Sequence, residues 1–157
     1  MWQTLQHAEW VTTLATNRGL FAVVSVIHYF TLLVCVGTVV LLDLRILGIA
    51  DRNQALAPLA EQLQPWIWIA FGLGAVSGFL LFATEAADYV AVEPFRMKML
   101  IIALAVILAL VVQRNVSKWG QAPVMPMAAK LLAVISIALW LGAILVGVEI
   151  APLTGLG

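Results

Sequence analysis

Four stretches of this chain, approximately residues 19–46, 66–88, 95–114 and 129–152, run almost without charge for the width of a bilayer. Roughly 20 apolar residues cross the hydrocarbon core as a helix. Inside that core each backbone N–H and C=O must be satisfied within the segment or a closed barrel, and runs this long take the helical solution. Composition agrees: the 157 residues are 64% hydrophobic and 10% charged, with a mean hydropathy of +1.07, against about a quarter charged in a typical soluble domain. Polar groups this sparse cannot clothe a water-facing surface, so the chain reads as an all-α integral membrane protein. Its 8 basic and 8 acidic residues cancel, which leaves no basic face for nucleic acid. The lone cysteine, Cys35, excludes an intrachain disulfide and a cysteine-only metal cage.

The runs are separated by polar and proline-rich breaks: Asp51 to Gln54 through Pro58 and Pro65, then Glu93-Pro94, then Arg114 to Pro126. Short connections imply antiparallel neighbours and one up-down four-helix bundle, without an internal repeat or second domain. Residues 1–18 lack the basic start and cleavage site of a signal peptide, so the first run is expected to stay in the membrane. Arg18, Arg96 and Lys98 fall at one end of the bundle; Arg45, Arg52, Arg114, Lys118 and Lys130 fall at the other. That bias makes the second end cytoplasmic and puts both termini outside, in the periplasm of a bacterial inner membrane. Trp2, Trp10, Trp66, Trp68 and Trp119 are expected at the interfaces as an aromatic belt. Ahead of the first span, residues 3–16 read as a short interfacial helix. Its stripe of Gln3, His7, Trp10, Val11 and Leu14 would turn His7 toward the bundle.

Ionisable groups inside spans are costly and usually face the bundle interior. Successive helical residues turn by about 100°, which puts His28 and Cys35 on one stripe, flanked by Ser25 and Thr31, with Gly37 opposite. On the second span Gly74, Gly78 and Glu85 fall nearly in line, and the glycine pair would let a helix or a flat ligand approach closely. Lys98 sits one turn into the third span between Met97 and Met99, and Glu149 near the end of the fourth. These groups are expected to converge on a polar pocket near the outer end, with a drier cytoplasmic half. Each has a plainer use. His28 can bond a carbonyl or Thr31, and Lys98 can snorkel to the surface or pair with Glu85 or Glu149. Cys35 and the glycines can simply pack, and Asp43 and Arg45 can form a local ion pair.

His28, then "DLRILG", "PWIWIAFGLGAVSGFLLF" and "PFRMKML", covering roughly residues 20–115, resemble an uncharacterised bacterial family of four-span membrane proteins. More distantly the arrangement is similar to copper-resistance-D-like proteins and membrane-bound protoporphyrinogen oxidases. In the oxidases a first-span histidine and a later-span lysine are associated with haem or porphyrin, so the resemblance implicates His28 and Lys98. This chain lacks the tryptophan-histidine context that usually precedes that lysine, which weakens the case for oxidase activity. Imidazole is a standard axial ligand of haem iron. A haem b is therefore expected on His28, with its face beside Gly74 and Gly78 and its propionates near Lys98 and Arg96. The second axial position falls to His7 first, otherwise to Met97, Met99, Lys98 or another chain. The leading expectation is electron transfer, from quinol to a periplasmic acceptor. The alternatives are a non-catalytic subunit or assembly factor of a larger membrane complex or homo-oligomer, and the handling of copper or a small solute through Cys35, His28, Met97 and Met99. No buried Ser-His-Asp set suggests a hydrolase.

Overall fold

A computed structural model describes residues 1–50 and 54–154, with side chains through Val148; Arg52 and the side chain of Glu149 lie outside the described residues. Its elements are α1 (Trp2–Gln6), α2 (Glu9–Thr16), α3 (Arg18–Ile46), α4 (Leu56–Thr84), α5 (Ala86–Ala91), α6 (Glu93–Gln121) and α7 (Met127–Thr154). Four of them, α3, α4, α6 and α7, are 28 or 29 residues long and apolar enough to cross a membrane. α3 packs chiefly on α4 and α6 on α7, while α3–α7 and α4–α6 contacts close the ring. The helices thus form a bundle in which α3 and α6 stand on a diagonal.

Local chemistry sets the ends of α3. The Asn17 side chain accepts from the Gly19 and Leu20 amides, both at 3.1 Å, satisfying two donors that a helix start leaves orphaned. At the other end of α3, Gly48 takes φ +75°. Its amide bonds the Arg45 carbonyl at 3.0 Å and the Ile49 amide bonds that of Leu44 at 2.9 Å. This is the paired C-terminal lock that favours glycine at the left-handed position, and it explains the glycine closing "DLRILG". α4 begins at Leu56, well before the expected start, and runs through Pro58 and Pro65. Pro58 lies in the first turn, where a missing N–H is harmless. Leu56, Leu59, Ala60 and Ile67 bury one continuous face, and that burial carries the helix across Pro65.

Three short helices cover one end of the bundle, here the capped end. The expected single helix over 3–16 is instead two, broken at His7 and Ala8, with Ala8 extended. Val11 and Leu14 turn inward and are buried; His7 is exposed. The break rotates α1 so that Trp2 meets Phe82 edge-on at 5.6 Å and Gln6 Oε1 accepts from the Ala87 amide at 3.3 Å. Phe82 also stacks on Phe95 at 5.1 Å.

Two apolar clusters form the core. One joins Leu42, Ile46, Leu56, Ala60, Val112 and Val116 to α7 at the far end; the other joins Cys35, Val39, Ile67, Ala70, Ala105 and Trp140 at mid-height. Neither includes a residue of α3 before Cys35 or of α6 before Ala105. The far half is nevertheless not the dry half expected. Trp68 Nε1 donates to Gln113 Oε1 at 3.0 Å, and Gln113 Nε2 donates to Gln64 Oε1 at 3.3 Å, so the polar edge of Trp68 turns toward α6. Asp43 is 1% exposed, and the expected Asp43–Arg45 pair is absent. Helical residues two apart point away from each other. The Arg45 guanidinium instead donates twice to the Gln54 carbonyl, at 2.9 and 2.7 Å.

Candidate functional site

The capped half, where the apolar clusters stop, holds the polar residues of α3 and α4. Ser25 and His28 are half-buried and Thr31 and Cys35 buried, while Gly37 is exposed with open space around it. The inward polar face expected from 100° spacing is therefore the one that forms. His28 Nδ1 lies 3.1 Å from the Gly74 carbonyl oxygen and 3.2 Å from Ser77 Oγ. A carbonyl only accepts, and the Ser77 hydroxyl gives its hydrogen to the Leu73 carbonyl at 2.7 Å. Nδ1 must then be the protonated nitrogen, which leaves Nε2 with the lone pair. Metal-binding histidines are oriented in the same way, by a backbone carbonyl on the other ring nitrogen.

Gly74 and Gly78 are what bring the two helices this close. A Cβ on Gly78 would come within 2.8 Å of His28 Cε1, and one on Gly74 would lie 3.3 Å from Thr31 Oγ1. The expectation that a porphyrin face rests on these glycines is therefore overturned: the imidazole and the threonine hydroxyl already fill that surface. Any flat ligand must meet His28 from the side away from α4.

Lys98 comes from the diagonal helix. It is half-buried, and its charge reaches His28. It runs along α7 at Gly147, where a Cβ would stand 3.2 Å from Nζ and 3.4 Å from Cε. A larger residue at 147 would displace the ammonium, a role for that glycine that sequence spacing did not single out. Glu85 does not pair with Lys98. It caps α4 outside the span, where burial first and the charge of Asp88 second push its carboxyl above the ordinary range.

The remaining expected site residues stand elsewhere. His7 is exposed at the α1–α2 break, and Arg96 is exposed beside Glu93, Met97 and Leu100. Met97 and Met99 are exposed while Cys35 is enclosed in the mid-height core, so the soft-ligand set expected for copper is not assembled. Among the described residues no three His, Cys, Asp or Glu side chains come together as a metal cluster.

Compared with known proteins, residues 8–151 match the model of a family of unknown function (DUF6644). That match carries no link to copper-resistance-D-like or oxidase-type proteins. No curated protein and no solved structure matches the chain.

Proposed function

The chain belongs to this family of unknown function, and we propose that it is a haem b-binding membrane protein that transfers electrons, with His28 and Lys98 holding the iron. The observation that carries the reading is the His28 ring. Its Nδ1–H is committed to the Gly74 carbonyl, and its Nε2 lone pair is left as the ligand position in the layer between the mid-height core cluster and the aromatic cap. Of the residues considered for a second ligand on this chain, His7, Met97 and Met99 are exposed, whereas Lys98 is half-buried within electrostatic reach of His28. When bound, the haem supplies one-electron exchange between ferric and ferrous iron.

The chain's own residues do the rest. Gly74 and Ser77 hold the imidazole in one tautomer, Gly78 gives the ring room, and Gly147 gives Lys98 room. Arg96, at the surface of the same end, suits a propionate or an anionic partner. In this reading the protein sits in a bacterial inner membrane with both termini periplasmic, takes electrons from quinol and passes them outward.

Protein purified from its native membrane is expected to show a Soret band and a reduced α band. His28→Ala should abolish both. Lys98→Ala should keep the pigment and change its spin state and ligand spectrum. An unpigmented native protein, or an unaltered spectrum in folded His28→Ala, overturns the reading.

A further inference from the structure

Asp43 is the most deeply buried ionisable group described, and it lies outside the His28 site. It is 1% exposed, as is Ser136 on α7. Asp43 Oδ2, Ser136 Oγ and Trp140 Nε1 are all buried without a hydrogen bond of good geometry, although the Ser136 hydroxyl stands close to the Asp43 carboxyl. Ser136 and Trp140 lie four residues apart, on one face of α7. Asp43, Ser136, Gln64, Trp68 and Gln113 together line a cavity of about 20 Å³, measured to the centres of a water-sized sphere. A buried water needs about 10–15 Å³ by that measure and two to four polar partners. The cavity provides both.

An isolated carboxylate in a medium of low dielectric is too costly to persist without a counter-charge. None is supplied from the neighbouring helices. The residues facing Asp43 are Gln64 and Trp68 from α4, Gln113 from α6 and Ser136 from α7, and the other lining residues are apolar. Glu61, Arg114 and Lys130 on those helices do not line the cavity, and Arg45 on α3 is bonded to Gln54. No cation among the described residues lines the chamber, so the positive charge is taken from outside it. A metal cation would want several free acceptors, whereas the Gln113 and Gln64 side-chain oxygens each already accept a hydrogen bond, which leaves a mixture of one carboxyl and one hydroxyl, Asp43 and Ser136. That mixture suits a carboxylic acid and a water.

We propose that Asp43 is a proton-binding site within the membrane, loaded through one water held between its carboxyl and the Ser136 hydroxyl. The step is a reversible transfer of one proton from that water, as hydronium, to Asp43 Oδ2, leaving neutral water behind. Gln113 and Gln64, already hydrogen-bonded to each other, form the polar wall along which further water can reach the chamber. The site is independent of haem: it needs no metal and shares no residue with the His28 cluster.

The test is infrared difference spectroscopy of the full-length protein in lipid vesicles, titrated from acid to alkaline pH. A protonated-carboxyl C=O band is expected, shifting in D₂O, lost in Asp43→Asn and kept in Glu85→Gln. Ser136→Ala, which leaves the carboxyl in place, should move the band to higher frequency by removing a hydrogen-bond partner. This second variant keeps the test decisive should Asp43→Asn fail to fold. The proposal is overturned by a wild-type protein without such a band, by its survival in folded Asp43→Asn, or by an unshifted band in Ser136→Ala. Loss of the band on adding sodium at fixed pH would also overturn it, since the chamber would then be a metal-cation site.

Discussion

Gly78 and Gly37 stand on neighbouring helices, the first half-buried and the second exposed. A methyl group on Gly78 collides with the His28 ring, while one on Gly37 meets nothing within 4 Å. Gly78→Ala should therefore destabilise the protein by about 1–3 kcal/mol through overpacking. Gly37→Ala should be neutral or gain up to about 1 kcal/mol of helix propensity. Unfolding in mixed micelles measures both, and equal effects would mean that α3–α4 proximity does not depend on Gly78. Glu85 gives a pH dependence with a definite sign. Its carboxyl titrates higher in the folded protein than its ordinary 4.5, so the proton is bound more tightly in the folded state. Its contribution to stability is full below that value and disappears as pH rises through the folded pKa. Thermal unfolding should show the capped end firmer in mild acid than at neutral pH, and Glu85→Gln should flatten the trend. At this scale His28 was legible because a lone imidazole among apolar residues has few uses and helical spacing fixes its face. Ser136 was not legible, because a single hydroxyl in an apolar run looks like packing until its unbonded oxygen is seen.

Among the elements, α1 is the most lightly held. It is five residues long and contains no buried residue. Trp2 against Phe82 and Gln6 against Ala87 are its anchors. Trp2→Ala removes an aromatic pair that contributes about 0.5–1.5 kcal/mol. Proteolysis within residues 1–8 should then accelerate several-fold while the spans stay protected. An unchanged cleavage rate would show that Trp2 does not anchor α1. At the start of α3, Asn17→Ala removes a cap accepting two amides and should cost about 1 kcal/mol, read as faster exchange at Gly19 and Leu20. Helix ends were the least legible features. Pro58 and Pro65 read as punctuation, yet the buried face of Leu56, Leu59 and Ala60 outweighs a lost hydrogen bond. His7 read as part of one stripe, yet docking of Trp2 on Phe82 is better served by a break. Only the contacts those segments make far away in the chain decide such matters, and local spacing does not carry them.

For the whole molecule, the four-span topology followed from the apolar runs, because a bilayer admits so few solutions. The distribution of polarity between its halves did not follow. Gln64 and Gln113, which sequence spacing did not single out, lie close to expected span ends and bond to each other between α4 and α6. The 29-residue helices are roughly 43 Å long at 1.5 Å per residue, against a hydrocarbon core of about 30 Å. Their ends therefore extend beyond the acyl chains or tilt within them. Both core clusters lie from mid-height to the far end, and the capped end is closed by the rings of Trp2, Phe82, Tyr89 and Phe95 with buried Val11 and Leu14, so the layer between them is the more loosely filled one. Thermal motion should part the helices first in that layer, around Ser25–Tyr29 and Met97–Ile101, before it loosens Leu56–Ala60 or Val112–Val116. A visitor arriving sideways from the acyl chains could then slip in and out at His28 while the far end stays shut.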